Sequence, residues 1–342
     1  MPLRLVVDGF GKFLGRKGET IVVRDADGNV QRIQPAELEQ VIISGKGSIS
    51  TDALHLLAMH GVDVILMDLR GEVLARLSPP EMKTVSTRRE QYKAYDDERG
   101  VEFSKEVIYC KIRSQSSLLY SLAKKRIETD PKFSEELNQS ASRLKGITEE
   151  IRGLQGRRIE ELREPLMNLE GRAANAYWQS LSKLFGVDWG FKGRSGRYAE
   201  DPVNSLLNYS YGVLMAEVWR AIHCAGLDPY GGFLHADRPG KPSLVLDLME
   251  EFRPVLADRS VIKFVTKRMV QPTDFEMVDG VCQMKDQTRR AFLRELLERM
   301  TEETRYKEMK LRWCDLILHQ ARELAKFLRG ESQRFEGFFL RW

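Results

Sequence analysis

The residues in this sequence best suited to chemistry are one histidine and a small set of acids in apolar surroundings. Asp247 and Glu250 stand one helical turn apart in Ser243-Leu-Val-Leu-Asp-Leu-Met-Glu-Glu-Phe252, and Glu251 shares the row of Asp247 at i+4. His235 comes just before, at the end of the strand-like run Tyr230-Gly-Gly-Phe-Leu-His235. Glu170 falls in Leu169-Glu-Gly-Arg-Ala-Ala-Asn-Ala-Tyr-Trp178, read as the start of a helix rich in small residues, with Glu170, Ala174 and Tyr177 on one face. Singly, each has an ordinary reading: a helix-start carboxylate favoured by the dipole, a structural histidine, a solvated acidic face. Together, one imidazole and two or three carboxylates on helices facing a common interior make an oxygen-rich site for Mg²⁺ or Mn²⁺. A hard ion with open positions suits phosphodiester chemistry, because it polarises the phosphoryl oxygen, activates a bound nucleophile and neutralises the leaving oxygen.

Basic residues at glycine-rich turns accompany these acids. Lys192, Arg194 and Arg197 lie in Phe191-Lys-Gly-Arg-Ser-Gly-Arg-Tyr198, and Arg238 and Lys241 follow His235. Glycine lets backbone approach a phosphate chain closely, and contacts of this kind position nucleic acid without reading its sequence. Arg289-Arg290 and Lys263 with Lys267-Arg268 are alternatives that read equally well as solvated faces. Two glycine motifs are false leads. Gly9-Phe-Gly-Lys-Phe-Leu-Gly15 places its last glycine one position late for a dinucleotide fingerprint, and Ser44-Gly-Lys-Gly-Ser48 lacks the upstream glycine of a P-loop. Both read as tight turns. His223-Cys224 reads as the middle of a core helix. The cysteines at 110, 224, 282 and 314 form no C-x-x-C pair, which argues against a zinc ribbon and a disulfide framework.

The elements that must hold these residues divide the chain in two. Short strands and turns are expected at 3–7, 20–23, 30–33, 41–43, 62–67 and 73–77, with a helix capped near Ser50, until Ser78-Pro79-Pro80 punctuates the chain. Beyond it the period changes to helical, over 86–98, 104–129, 133–163, 169–185, 202–226 and 288–328, with breaks at Arg253-Pro254 and Gln271-Pro272. The expected fold class is α+β: a β-rich N-terminal domain over 1–80, then a larger all-α domain over 81–342 that carries the site. With 42% hydrophobic and 30% charged residues the composition is globular. No apolar run approaches the ~18–20 residues that span a bilayer, and the N-terminus has no signal-peptide anatomy, so a cytoplasmic protein with no membrane partner is expected. The 54 basic and 50 acidic residues give a net charge of only +4, so a polyanion partner requires uneven placement of the positive charge.

In order and spacing, these segments resemble the catalytic subunit of the CRISPR adaptation complex, the integrase and endonuclease that captures new spacers. The resemblance runs through Gly45-Lys-Gly-Ser-Ile-Ser-Thr-Asp-Ala-Leu54, Gly61-Val-Asp-Val-Ile-Leu-Met-Asp68, Leu169 to Tyr177, Asp201-Pro-Val-Asn-Ser-Leu-Leu-Asn-Tyr-Ser-Tyr211, Gly232-Phe-Leu-His235 and Ser243 to Pro254. It implies that Glu170, His235 and Glu250 bind the divalent metal, Mg²⁺ or Mn²⁺, and that Asp247 supports them. Many members carry Asp where this chain has Glu250; both are hard oxygen donors. Asn204 and Tyr211 match a helix packed beside the site. It further implies a homodimer, a small ferredoxin-like companion subunit, and double-stranded and branched DNA as substrate. The implied reaction is attack of a DNA 3′-hydroxyl on a phosphodiester of the repeat array, with hydrolysis when water replaces that hydroxyl. A non-catalytic DNA-binding assembly protein and a generic metal-dependent phosphodiesterase are the alternatives.

Overall fold

The structure is a computed structural model that describes residues 3–78, 84–196 and 198–340. Strands β1 (Leu3–Asp8), β2 (Lys12–Lys17), β3 (Thr20–Arg24), β4 (Val30–Ile33), β5 (Leu38–Ser44) and β6 (Gly47–Ile49) are followed by helix α1 (Thr51–Met59), then β7 (Asp63–Met67) and β8 (Val73–Leu77). They form two sheets, ordered β1-β5-β7-β8 and β4-β3-β2-β6. The sheets and α1 share a core that includes Leu5, Val7, Leu14, Ile21, Val41, Leu56, Leu57 and Val64. Because side chains alternate across a strand, the neighbours Val6 and Ile65 face the other way, into the helical part. Ser50 caps α1 through its side chain, as the sequence suggests. The glycine motifs begin as turns, with φ of +103° at Gly9, +70° at Gly11 and +106° at Gly45, but Lys12–Gly15 and Gly47-Ser48 belong to β2 and β6, strands that were not expected. Pro79 and Pro80, where the sequence suggests a boundary, lie outside the described residues.

Helices α2 (Ser86–Ala94), α3 (Glu98–Lys124), α4 (Pro131–Gly153), α5 (Ile159–Phe185), α6 (Pro202–Cys224), α7 (Ser243–Met249), α8 (Arg259–Thr266), α9 (Asp286–Thr301) and α10 (Trp313–Leu328) follow. Asp97, Asp130 and Asp201 cap α3, α4 and α6 by accepting backbone N–H bonds. His223 and Cys224 close α6 and are half-buried, where a mid-helix core position was expected. The expected all-α character of this part is corrected by two hairpins, β9 (Phe275–Val278) with β10 (Val281–Met284) and β11 (Glu303–Tyr306) with β12 (Met309–Arg312). Asp279 and Gly280 turn the first with φ of +51° and +76°, the conformation that an Asp-Gly pair favours. The second interrupts the helix expected over 288–328. Arg253-Pro254 is also not a break: Arg253–Asp258 forms a π-helical turn that runs on into α8. The helix expected over 133–163 divides at 154–158, between α4 and α5.

Buried charge and a close backbone approach join the sheets to the helices. Arg4 on β1 lies 2.8 Å from Glu217 on α6, and Arg220 lies 2.9 Å from Glu39 on β5. The turn between β7 and β8 rests on α6 at a glycine pair: a Cβ on Gly212 would sit 1.7 Å from the carbonyl oxygen of Gly71. Gly212→Ala must therefore push a backbone segment away, and overpacking of this kind costs about 1–3 kcal/mol. Denaturant unfolding is expected to show that loss, whereas Gly171→Ala, inside α5 with open space around its Cβ position, should raise stability by about 0.5–1 kcal/mol through helix propensity.

Candidate active site

The segment leading to His235 is a loop, correcting the expected strand-like run, and its backbone polar groups are paired by side chains. Phe233 N and Leu234 N donate to Asp247 Oδ2 at 2.7 and 3.0 Å, and His235 N donates to Oδ1 at 2.9 Å. His235 Nδ1 stands 2.6 Å from the same Oδ1. An ionised carboxylate only accepts, so this contact assigns the ring proton to Nδ1 and leaves the lone pair on Nε2 for a ligand. The carbonyl side of the loop is held from α5, where Arg163 donates to Leu234 O at 3.1 Å and Phe233 O at 2.9 Å. Gln91 of α2 fixes the preceding turn, accepting from Asp228 N at 2.8 Å and donating to Gly231 O at 2.7 Å.

Glu170 is not at a helix start. It lies well inside α5, which runs through Pro165 without interruption. The carbonyl that this proline leaves unpaired, at Glu161, belongs to the exposed first turn, where water can satisfy it. Glu250 follows α7, and between the two acids lies Lys111 of α3. Its Nζ is 2.5 Å from Glu170 Oε1 and 2.7 Å from Glu250 Oε2. Arg253 Nη2 adds a longer contact of 3.5 Å to Glu250 Oε1. Burial by itself pushes the Glu250 carboxyl up, but Arg253, Lys111 and His235 outweigh it and hold the group down at about 2. Burial opposes the Lys111 charge as well, and Glu250 and Glu170 more than restore it, so its pKa is raised. Glu251, a third acid in the sequence reading, turns away to accept from Phe338 N at 3.0 Å.

Beside this cluster Tyr211 donates to Asp258 Oδ1 at 2.6 Å, and Tyr177 donates to Oδ2 at 3.0 Å. Burial raises Asp258 to about 6 against those two bonds. The guanidinium groups of Arg194 and Arg253 lie 5.2 and 4.8 Å from the Tyr211 ring centre. Arg194 also donates to Asn204 Oδ1 at 3.0 Å and Asn208 Oδ1 at 2.6 Å, so it faces inward. Asn204 ties the 193–195 loop to α6, accepting from Ser195 N at 3.0 Å and donating to Gly193 O at 2.9 Å. Lys192 and Arg238 are exposed and Lys241 is half-buried, while Arg197 lies outside the described residues. Arg238 and Lys241 border a cavity of about 530 Å³ with Tyr92, Tyr95 and Tyr230. Of the alternative basic groups, Arg289 and Arg290 pair with Asp8, and Lys263 pairs with Glu295.

The sequence reading missed Lys111, Arg163, Gln91, Arg253 and Asp258. A signal for Lys111 was present: it occupies the apolar stripe of α3 that includes Val107, Ile108, Ile112 and Leu119. Among the described residues, no three His, Cys, Asp or Glu side chains converge closely enough to hold a metal ion as they stand. No helix there is long and apolar enough to cross a membrane.

The family model for CRISPR-associated protein Cas1 matches residues 5–298. The chain belongs to the Cas1 family. It is 43% identical over 346 residues to a protein of Archaeoglobus fulgidus named CRISPR-associated endonuclease Cas1 1, covering 99% of this chain and 100% of the relative. Among solved structures, a casposase bound to integration product superposes with a TM-score of 0.81 at 25% identity, covering 97% of this chain and 92% of that one. The Cas1 fold also recurs in a Cas6-RT-Cas1–Cas2 complex, with a TM-score of 0.80 at 20% identity, covering 99% of this chain and 36% of that chain.

Two outcomes follow for this Cas1-family site. Asp247→Asn sets an amide N–H₂ against backbone donors whichever way it is flipped. We expect a loss of about 2–3 kcal/mol, the cost of buried unsatisfied donors, and faster amide exchange at 233–235; unchanged exchange would contradict the role given to Asp247. Because the folded-state pKa of Glu250 is depressed to about 2 from 4.5, its stabilisation is present above 4.5 and lost as pH falls through 2. In metal-free buffer, wild type should therefore lose on the order of 3 kcal/mol more than Glu250→Gln between pH 6 and 2, measured by denaturant unfolding.

Proposed function

We propose that the chain is a divalent-metal-dependent DNA integrase and endonuclease that inserts captured DNA into a repeat array. The observation that carries this reading is the gathering of Glu170 and Glu250 around one cation, Lys111, beside a histidine whose Nδ1 is committed to Asp247. The donor set fits a divalent ion: two carboxylates already arranged around a positive charge, and an imidazole with Nε2 left for a ligand. Glu170, Glu250 and His235 would hold Mg²⁺ or Mn²⁺, which when bound supplies Lewis-acid stabilisation to phosphoryl and leaving oxygens. The relative named an endonuclease and the casposase bound to integration product support the same reading.

The chain's own residues have separate tasks in this reaction. Asp247 fixes the imidazole tautomer, and Arg163 and Gln91 keep the His235 loop from relaxing. Lys192, Arg238 and Lys241 hold the DNA backbone, and Tyr211 with Arg194 and Arg253 supports the floor of the site. In strand transfer the 3′-oxygen of the incoming strand bonds to a target phosphorus, and the target strand's own 3′-oxygen leaves. The proton of the attacking hydroxyl is released and one is taken up by the departing oxygen. When water attacks, the same displacement is cleavage. The family resemblance adds a homodimer and a small ferredoxin-like companion, and one fold neighbour is itself a complex that includes Cas2.

A second reading, a DNA-binding assembly protein whose acids are only structural, is favoured by the Lys111 ion pairs, which satisfy both acids without a metal. The two readings separate on His235→Ala and Glu250→Gln. Catalysis predicts that strand transfer on a branched DNA substrate with Mn²⁺ falls by about 100-fold or more, the scale for removing transition-state stabilisation, while DNA affinity and circular dichroism stay unchanged. Retained strand transfer in both variants would overturn the catalytic reading.

A further inference from the structure

The proposed metal reading leaves Lys111 unexplained. Its ammonium lies 2.5 Å from Glu170 and 2.7 Å from Glu250, and the three residues come from α3, α5 and the turn after α7. The lysine side chain is only 9% exposed, so solvent does little to screen these charges. Two carboxylates that close to one point, Glu250 buried and Glu170 half-buried, repel unless a cation stands between them. Arg253 does not serve this purpose, because, of the two acids, it pairs with Glu250, at 3.5 Å and from the other carboxylate oxygen. A divalent ion bound by Glu170 and Glu250 would need the lone pairs that Lys111 now engages, and would lie within a few ångströms of a like charge. Lysine is suited to yield. Its charge sits at the end of a flexible four-carbon stem, whereas a guanidinium fork is held by several donors at once.

We propose that Lys111 is an internal counter-ion that occupies the cation position in the metal-free protein and must be displaced when a divalent ion binds. Lys111 thus sets metal affinity, trading tight binding for a site that stays assembled without metal. This inference rests on the proposed reading of Glu170, His235 and Glu250 as metal ligands. It makes Lys111 a positioning residue whose effect is read in binding rather than turnover.

The test is Mn²⁺ binding, followed by the loss of the free-ion electron paramagnetic resonance signal, in the full chain without DNA. Lys111→Met is expected to bind Mn²⁺ at least tenfold more tightly than wild type, and its melting temperature should rise more on adding Mn²⁺. Lys111→Gln, neutral but able to hydrogen-bond both acids, provides the same comparison if the methionine variant does not fold. Lys183→Met removes an equal charge from an exposed ion pair with Glu136, three turns along α5 from Glu170, and is expected to change affinity less than threefold. Affinity in Lys111→Met equal to or weaker than wild type, or a change no larger than in Lys183→Met, would overturn the inference while leaving the metal reading intact. Absence of Mn²⁺ binding in wild type and all variants would overturn both.

Discussion

The His235 loop depends on one buried carboxylate. Asp247 is fully buried, and its two oxygens collect three backbone amides and the His235 ring nitrogen. A loop without secondary structure cannot be buried unless its N–H groups find acceptors, and here one side chain supplies them all at the point where the histidine must be aimed. Arg163 and Gln91 perform the complementary task for carbonyl groups from other helices. Helices distant in sequence are thereby locked to the same six-residue stretch. The orientation of His235 is a property of the whole helical assembly.

The second constraint is charge. Glu170, Glu250, Asp258, Lys111 and Arg253 are packed where water is scarce, and the structure answers each charge with an opposite one or a strong donor. Lys111 binds α3 to α5 and to the turn after α7, while Asp258 gathers hydroxyls from α5 and α6. The π-helical turn at 253–258 has a clear use in this setting. It carries Arg253 toward Glu250 and Asp258 toward the two tyrosines without breaking the helical run into α8. The same residues that keep the cluster neutral also hold its acids in place, which in the proposed function serves an incoming ion.

Much of the site was legible because polar residues interrupt apolar runs at fixed intervals. His235 and Asp247 are in contact, Glu170 and Glu250 share Lys111, and Tyr177, on the Glu170 face, reaches Asp258. Most of the β-strands before residue 78 were legible from alternation and from Asp-Gly and Gly punctuation, but β2 and β6, inside the glycine motifs, were not. What failed was local logic where tertiary contact decides. The sequence pattern ends one helix at 163 and begins the next at 169, on either side of Pro165, but the proline falls where its missing hydrogen bond faces water, so α5 continues and Glu170 is interior. The Asp279-Gly280 hairpin signal was hidden among helical neighbours. Lys111 could not be connected with Glu170 across 59 residues, because ion pairing leaves no periodicity in sequence. Net charge was similarly uninformative: many charges cancel in pairs such as Arg4–Glu217 and Arg289–Asp8, and the distribution decides what remains for DNA.

The central claim is that Glu170, His235 and Glu250 share one divalent ion at the position Lys111 fills without it. Anomalous scattering from crystals soaked in Mn²⁺ measures this directly. The account predicts a single strong peak bounded by the two carboxylates and the Nε2 atom of His235, with the Lys111 ammonium moved away from both acids. A site with no peak and Lys111 still bridging Glu170 and Glu250, or a peak bound elsewhere on the chain, would contradict it.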